Sequence, residues 1–307
     1  MRYFDLHADT PTKLYYRALP FSSPELDVSA NDLTAFSHIT QVFACFCNEK
    51  KSDDEAYRDF FRMRENLFAE IAPYIGRRFS FLLAVEDARL LAGDIRRLSV
   101  LRRAGVSLLT LVWRGESCVG GAYDTDRGLT AFGQAALTEA LRLGIIPDLS
   151  HASDRTFYDA VKICTDAGSP FIATHSDARA VCRHPRNLTD EEFMIIRDAG
   201  GIVGLCLCPE HLTVSGVADE EHFLLHLEHY LALGGENTVC LGTDLDGISS
   251  HPAGVSHLAD MARLIPVLQT AGYPDALIRN LFYKNAENFF RYFQKAGSQY
   301  ELQKHKK

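Results

Sequence analysis

The residues best suited to chemistry are histidines and carboxylates that recur just past short apolar runs: His7 and Asp9 in a His-Ala-Asp triplet, Glu86, His151, His175, and the pair Asp244 and Asp246. Neutral imidazole and carboxylate are the donors that zinc, manganese or iron(II) takes. A single histidine, or one His-x-Asp, is a weak signal, because most histidines are hydrogen-bonded core or surface groups. The same chemistry repeated after five separate runs points instead to a metal site. The set exceeds what one open catalytic metal needs, so it predicts two cations with Glu86 as the natural bridge. Two cations about 3.5–4 Å apart hold a shared hydroxide at neutral pH and polarise a scissile carbonyl, leaving one protein group to move protons. Asp244 is the candidate for that group.

Residues so distant in sequence can meet only if a scaffold gathers the ends of several strands. Eight β-branched or aromatic runs read as strands: Tyr3–Leu6, Ile39–Phe46, Phe79–Val85, Val106–Leu111, Ile145–Leu149, Phe171–Thr174, Ile202–Cys206 and Thr238–Leu241. Amphipathic segments alternate with them, the pattern of βα units around a parallel sheet. Ser153 can cap a helix that stops before Gly168, Thr189 with Glu192 forms a capping box on a helix ending before Gly200, and the segment from Thr130 to Leu143 ends before Gly144. The expectation is an α/β fold, a (β/α)8 TIM-type barrel with its active site at the carboxyl ends of the strands. A doubly wound sheet is the alternative. No linker, repeat or low-complexity tract divides the chain, so residues 1–307 read as one domain, with extra C-terminal helices over about 274–293 on the outside and a polar tail over 295–307.

Composition narrows the function. Thirty-two Lys and Arg face 40 Asp and Glu, a net charge of −8, so no basic field exists to hold nucleic acid or an anionic membrane. An apolar fraction of 47% with 23% charged residues fits a globular domain rather than a disordered chain. No run approaches the roughly 18 apolar residues of a membrane span, and Arg2 and Asp5 leave no apolar signal region behind Met1. None of the eight cysteines forms Cys-x-x-Cys, and Cys45/Cys47 and Cys206/Cys208 fall in strand-like runs, so they read as reduced core thiols. A cytoplasmic location is expected.

Ordered motifs carry a family resemblance: DLHADTP at the start, AVEDA around Glu86, GLTAFGQ from Gly128, GIIPDLSHAS around His151, ATHSDARAVCRHPRNL from Ala173 and LGTDLDG around Asp244. The chain resembles, nearly end to end, the membrane (renal) dipeptidase family of zinc peptidases, bacterial branch, among the metal-dependent hydrolase barrels. The resemblance implies a binuclear zinc dipeptidase that cleaves the amide of short peptides through a metal-bridging hydroxide, with L,L- and L,D-dipeptides both open as substrates. It implies that His7 and Asp9 bind one metal, that His151 and His175 bind the other, and that Glu86 bridges them. Arg186 matches the family's substrate-binding arginine, whose guanidinium fork suits a carboxylate or oxyanion. Asp244 matches the acidic residue that receives the proton of the attacking water and passes it to the leaving amine. Asp246 reads equally as a turn former or a direct participant. Homodimers are common in the family, so a homodimer is a further expectation.

Two departures stand out. Where mammalian members carry a histidine after the fourth strand, this chain has Trp113, which offers one indole N–H and no imidazolium, so it reads as a wall of the substrate pocket. VEDA replaces a VEGG-like run, which questions the local loop. A related amidohydrolase acting on a lactam, cyclic amide or ester, or a metal-binding pseudoenzyme, are the alternative readings. His222, His226 and His229 read as water-facing, opposite an apolar stripe of Phe223, Leu224, Leu227, Tyr230 and Leu231. The loop from Ser117 to Gly128 reads as a lid or a connection, and Cys118 within it has no evident base.

Overall fold

The computed structural model describes residues 1–47, 50–76 and 78–293, so the expected tail at 295–307 lies outside the described residues. Seven strands form one parallel sheet: β1 (Tyr3–Ala8), β2 (Ile39–Phe46), β3 (Phe79–Glu86), β4 (Val106–Thr110), β5 (Ile146–Asp148), β6 (Val203–Leu205) and β7 (Val239–Leu241), in the order β5-β4-β3-β2-β1-β7-β6. Helices in the connections include α1 (Thr10–Arg17), α2 (Asp53–Ile71), α3 (Arg96–Arg103), α4 (Ala131–Arg142), α5 (Asp154–Asp166), α6 (Asp190–Asp198), α7 (Pro209–Leu212) and α8 (Glu220–Ala232).

The helix boundaries follow from their caps. Ser153 accepts a hydrogen bond from Thr156 N at the start of α5, Thr130 accepts one from Gly133 N at the start of α4, and Thr189 and Glu192 close the capping box of α6. All three helices stop before a glycine with a left-handed backbone, Gly144, Gly168 or Gly200.

The sixth of the eight predicted strands is corrected. Phe171–Thr174 makes only single parallel bridges, Ile172 to Asp148 of β5 and Ala173 to Val203 of β6. Both neighbours are three residues long, too short to build a ladder on either side. The bridges nevertheless show the curvature: the sheet curls until its two edge strands reach the same four-residue segment. An open doubly wound sheet could not do this.

Alternation along the strands separates two cores. Tyr3, Phe43, Cys45, Leu83, Val85, Leu205 and Leu241 point outward and pack with helix residues such as Phe60, Phe157 and Phe193. Phe4, Leu6, Val42, Ala44, Ala84, Leu108, Ile146, Ile172, Ile202 and Cys240 point inward and form a second cluster. The segment expected to lie outside divides between them. Ile278, Leu281 and Phe282 join the outer core, whereas Ala286, Phe289 and Phe290 enter the inner one, with Phe290 stacked on Phe4 at 5.3 Å. Phe4 is the second residue of β1, so this packing lies at the amino ends of the strands and leaves the carboxyl ends for polar groups.

Candidate metal centre

The register of β1 against β2 shifts between Asp5 and Ala8, and this break in the pleat lets His7 and Asp9 face the same space. Glu86 ends β3, His151 lies three residues past β5, His175 follows the 171–174 segment, and Asp244 lies three residues past β7. His151, Asp244 and Asp246 hold left-handed backbones, with φ of 67°, 60° and 66°. Such conformations cost non-glycine residues of order 1–3 kcal/mol each and persist where surrounding contacts enforce them. Here the enforcement is visible: Asp244 N donates to His7 O (3.1 Å) and Asp9 N to Leu245 O (3.0 Å). Gly247 presses against the Asp244 and Asp9 carboxylates, where any Cβ would collide with Asp244 Oδ1.

Glu86 is central. Its Oε2 lies 3.5 Å from His7 Nε2, while Oε1 lies 3.1 Å from His151 Nε2 and 3.6 Å from His175 Nε2. His7 Nε2 is also 3.8 Å from Asp9 Oδ1 and 3.9 Å from Asp244 Oδ1. Two groups of potential ligand atoms, His7/Asp9/Glu86 and Glu86/His151/His175, each fall within 4.8 Å and share only Glu86. A further group, His7/His175/Asp244, places Asp244 beside both.

The tautomers fit cations. Thr174 donates its hydroxyl proton to Asp148 Oδ2 (2.6 Å), so the same oxygen must accept from His175 Nδ1 (2.8 Å) and His7 Nδ1 (3.2 Å). His151 Nδ1 donates to the Trp113 carbonyl (3.1 Å). Every Nε2 is thereby left as a lone pair. His151 and His175 Nε2 stand 3.0 Å apart, and His7 Nε2 and Asp9 Oδ1 are buried without hydrogen-bond partners. Facing lone pairs and orphaned acceptors repel one another unless positive charge lies between them. Without a cation, burial pushes Glu86 up to about 8 and Asp244 up to about 7, raises Asp9 well above the carboxylate range, and holds His151 and His175 neutral. This donor set fits a pair of divalent cations.

Around this cluster, Arg186 is buried, its Nη1 donating to Ser176 Oγ (2.8 Å) and its Nη2 to the His175 carbonyl (2.7 Å). The Trp113 ring lies 4.6 Å from Phe46 and 6.1 Å from His151, with Tyr123 at 6.1 Å from the same imidazole. The side chains of His151 and Asp244 are 11% and 16% exposed against 1–3% for His7, Glu86 and His175, so the site opens beside them. The loop containing Gly121 is tied to this opening by bridges Glu116–Gly121, Gly120–Leu129 and Ala122–Ala152.

Other sequence readings resolve as follows. Asp246 joins none of the candidate ligand groups among the described residues; its carboxylate accepts from Thr10 Oγ1 (2.6 Å) and Asp27 N (2.8 Å) and pairs with Lys13 (3.0 Å), anchoring the loop. Asp87 occupies the VEDA loop at φ 73° and accepts from Arg89 N, holding a backbone that glycine would adopt freely. His222 and His229 pair with Asp219 and Asp190 at 2.7 Å, but His226 is fully buried, bonded to Ala178 N and the Leu212 carbonyl. It lies three residues after Phe223 and four before Tyr230, so it shares their buried face. Asp148 and Thr174 escaped the sequence reading, although a carboxylate inside the predicted strand Ile145–Leu149 signalled a buried partner.

Comparison with known proteins decides the family. The model of the membrane dipeptidases, peptidase family M19, matches residues 68–304. The chain belongs to that family. It is accordingly a metallo-dipeptidase, a hydrolase acting on peptide bonds. His7 and Asp9 precede the matched span, and it is the fold that brings them to Glu86. A Klebsiella pneumoniae relative, named "uncharacterized protein in pqqA 5′ region", is 34% identical over 213 residues, 66% of this chain and 77% of that one. The fold is similar to that of dipeptidase AC, a metallopeptidase of family M19, at 23% identity and TM-score 0.85 over 93% of this chain and 96% of that one. It is equally similar to a Rhodobacter sphaeroides metallopeptidase solved with a phosphinate mimic of the dipeptide L-Ala-D-Ala, at 24% identity and TM-score 0.85 over 93% and 97%.

Two expectations follow. Thr174→Val should weaken zinc binding by about 10–100-fold, the usual scale for a group that orients metal-binding histidines, whereas Thr174→Ser should retain it; competition with a chromophoric chelator measures both. Above about pH 7.5 the histidines of an unfolded chain are largely neutral, so the raised carboxylates decide the pH dependence of stability. Glu86 and Asp244 bind protons more tightly when folded, and their contribution is lost as pH rises through about 7 to 8. Metal-stripped protein should therefore melt at lower temperature at about pH 8.5 than at about pH 7.5. Zinc should oppose that trend, since its ligands must be deprotonated. Thermal denaturation with and without zinc checks the sign.

Proposed function

We propose that the chain is a binuclear zinc dipeptidase that hydrolyses short peptides, including L,D-dipeptides, from a (β/α)8 barrel in which residues 171–174 supply the eighth stave. The observation that carries this reading is the division of Glu86, one carboxylate oxygen toward His7 and the other toward His151 and His175. His7 and Asp9 would hold one cation, His151 and His175 the other, and Glu86 both. When bound, the pair supplies a hydroxide nucleophile at neutral pH and polarises the scissile carbonyl.

The remaining work falls to this chain's own side chains. Asp244, beside His7 and at the open side of the site, holds the proton taken from water and delivers it to the leaving amine. Arg186, immobilised by Ser176 and the His175 carbonyl, presents its remaining N–H groups to a substrate carboxylate or oxyanion. Trp113 and Phe46 form an apolar wall beside His151. The L,D reading draws support from the Rhodobacter sphaeroides relative, whose ligand mimics L-Ala-D-Ala. Among the described residues no helix is long and apolar enough to cross a membrane, and the eight cysteines are free, which fits a reducing compartment such as the cytoplasm.

Metal-stripped protein offered a panel of L,L- and L,D-dipeptides should release free amino acids only when zinc is restored, and tripeptides should be spared. Absence of release from every dipeptide, with cations bound, would redirect the assignment to another amide substrate or to ligand binding alone. Asp244→Asn should keep its zinc by elemental analysis while turnover falls at least about 100-fold. Unchanged turnover would remove Asp244 from proton transfer.

A further inference from the structure

Beyond the cluster around Glu86, one other group of buried ligand atoms converges among the described residues. Asp177, Cys206 and His211 place a carboxylate oxygen, a sulfur and an imidazole nitrogen within 4.8 Å of one another, and they share no residue with the groups described above. Asp177 is fully buried, yet its Oδ2 has no hydrogen-bond partner, and His211 Nδ1 is likewise buried and unpartnered. Leaving such acceptors empty in the interior is costly, so each points to something that fills the space between them.

The other atoms of the same residues are held in place. Asp177 Oδ1 accepts from Cys206 N (3.1 Å), which aims Oδ2 away from the backbone. Cys206 Sγ accepts from Cys208 N (3.3 Å), which orients the sulfur, while burial keeps it a thiol until a cation displaces the proton. His211 is fixed through its own backbone, its N–H donating to the Cys208 carbonyl (2.9 Å) and its carbonyl accepting from Asn187 Nδ2 (2.8 Å), while its ring packs on His184 at 4.8 Å.

We propose that Asp177, Cys206 and His211 bind a third divalent cation of the zinc class, separate from the pair bridged by Glu86. A thiolate with an imidazole and a carboxylate selects zinc over magnesium or calcium, and three protein ligands leave a fourth position for water or a small anion. Binding releases the Cys206 thiol proton to solvent. Arg186 is the positive charge already acting on Asp177 and His211, and the Cys206 thiol donates to Asp244 Oδ2 at 4.0 Å. The cation would tie the loop after β6 to the segment that follows His175, next to the proposed proton carrier. This site stands or falls independently of the dipeptidase reading, because none of its ligands belongs to the paired centre.

Cobalt(II) distinguishes the two centres, since the ligands around Glu86 include no sulfur. Titrating metal-stripped, full-length protein with cobalt should produce a near-ultraviolet thiolate-to-cobalt charge-transfer band. Cys206→Ser should lose that band and bind one equivalent fewer, while the visible bands of the paired centre persist; Cys208→Ser should keep it. Absence of the band at saturating cobalt, or its survival in Cys206→Ser, would overturn the site. If Cys206→Ser does not fold, X-ray absorption of the zinc-loaded wild-type chain decides: sulfur at about 2.3 Å from zinc supports the site, and nitrogen and oxygen alone refute it.

Discussion

The structure depends on burying Asp9, Glu86 and Asp244 around one imidazole, His7, at separations under 4 Å. Three carboxylates in so small and dry a space repel one another and resist ionisation, as the raised proton affinities of all three show. The arrangement suits a folded protein only if positive charge is supplied from outside the chain. His151 and His175, held neutral by burial, do not supply that charge. Cation binding thus gives a purpose to contacts that would otherwise be a liability.

The scaffold meets this demand by dividing the interior along the strand axis. Phe4, Ile146, Ile202, Phe289 and Phe290 fill the amino ends with apolar packing that needs no polar partner. Toward the carboxyl ends the inward positions become polar, and the buried carboxylates there are matched by donors. Asp5 accepts from Tyr3 Oη, His7 N and Thr243 N, while Asp148 accepts from Thr110, Ser150 N and Thr174. Asp148 does more than satisfy itself. Through the Thr174 hydroxyl it sets the tautomers of His7 and His175, so one buried carboxylate orients imidazoles on both sides of Glu86. The left-handed backbones of His151 and Asp244 show where the chain accepts local strain to aim these groups.

Much of this was legible from local signals. Residue chemistry at the ends of apolar runs marked His7, Asp9, Glu86, His151, His175 and Asp244, and short-range capping patterns marked the limits of α4, α5 and α6. Less visible were features that depend on which strands become neighbours. Phe171–Thr174 has strand-like composition, but its pairing is limited by the brevity of β5 and β6. His226 looked polar in an amphipathic helix, yet the Ala178 amide and Leu212 carbonyl brought to it by other segments let it be buried.

By itself the sequence determined the kinds of candidate ligand, their order, the βα alternation and the family resemblance, because these reside in residue identity and in spacings of a few positions. Tertiary structure alone decided that the two oxygens of Glu86 face different histidines, that Asp148 acts through Thr174, that Asp246 anchors a loop, and that Phe290 closes the inner core. Each of these depends on the curl of the sheet and on distances between residues far apart in the chain. A curl of that kind arises from the summed twist of all the strands, so no local stretch of sequence encodes it.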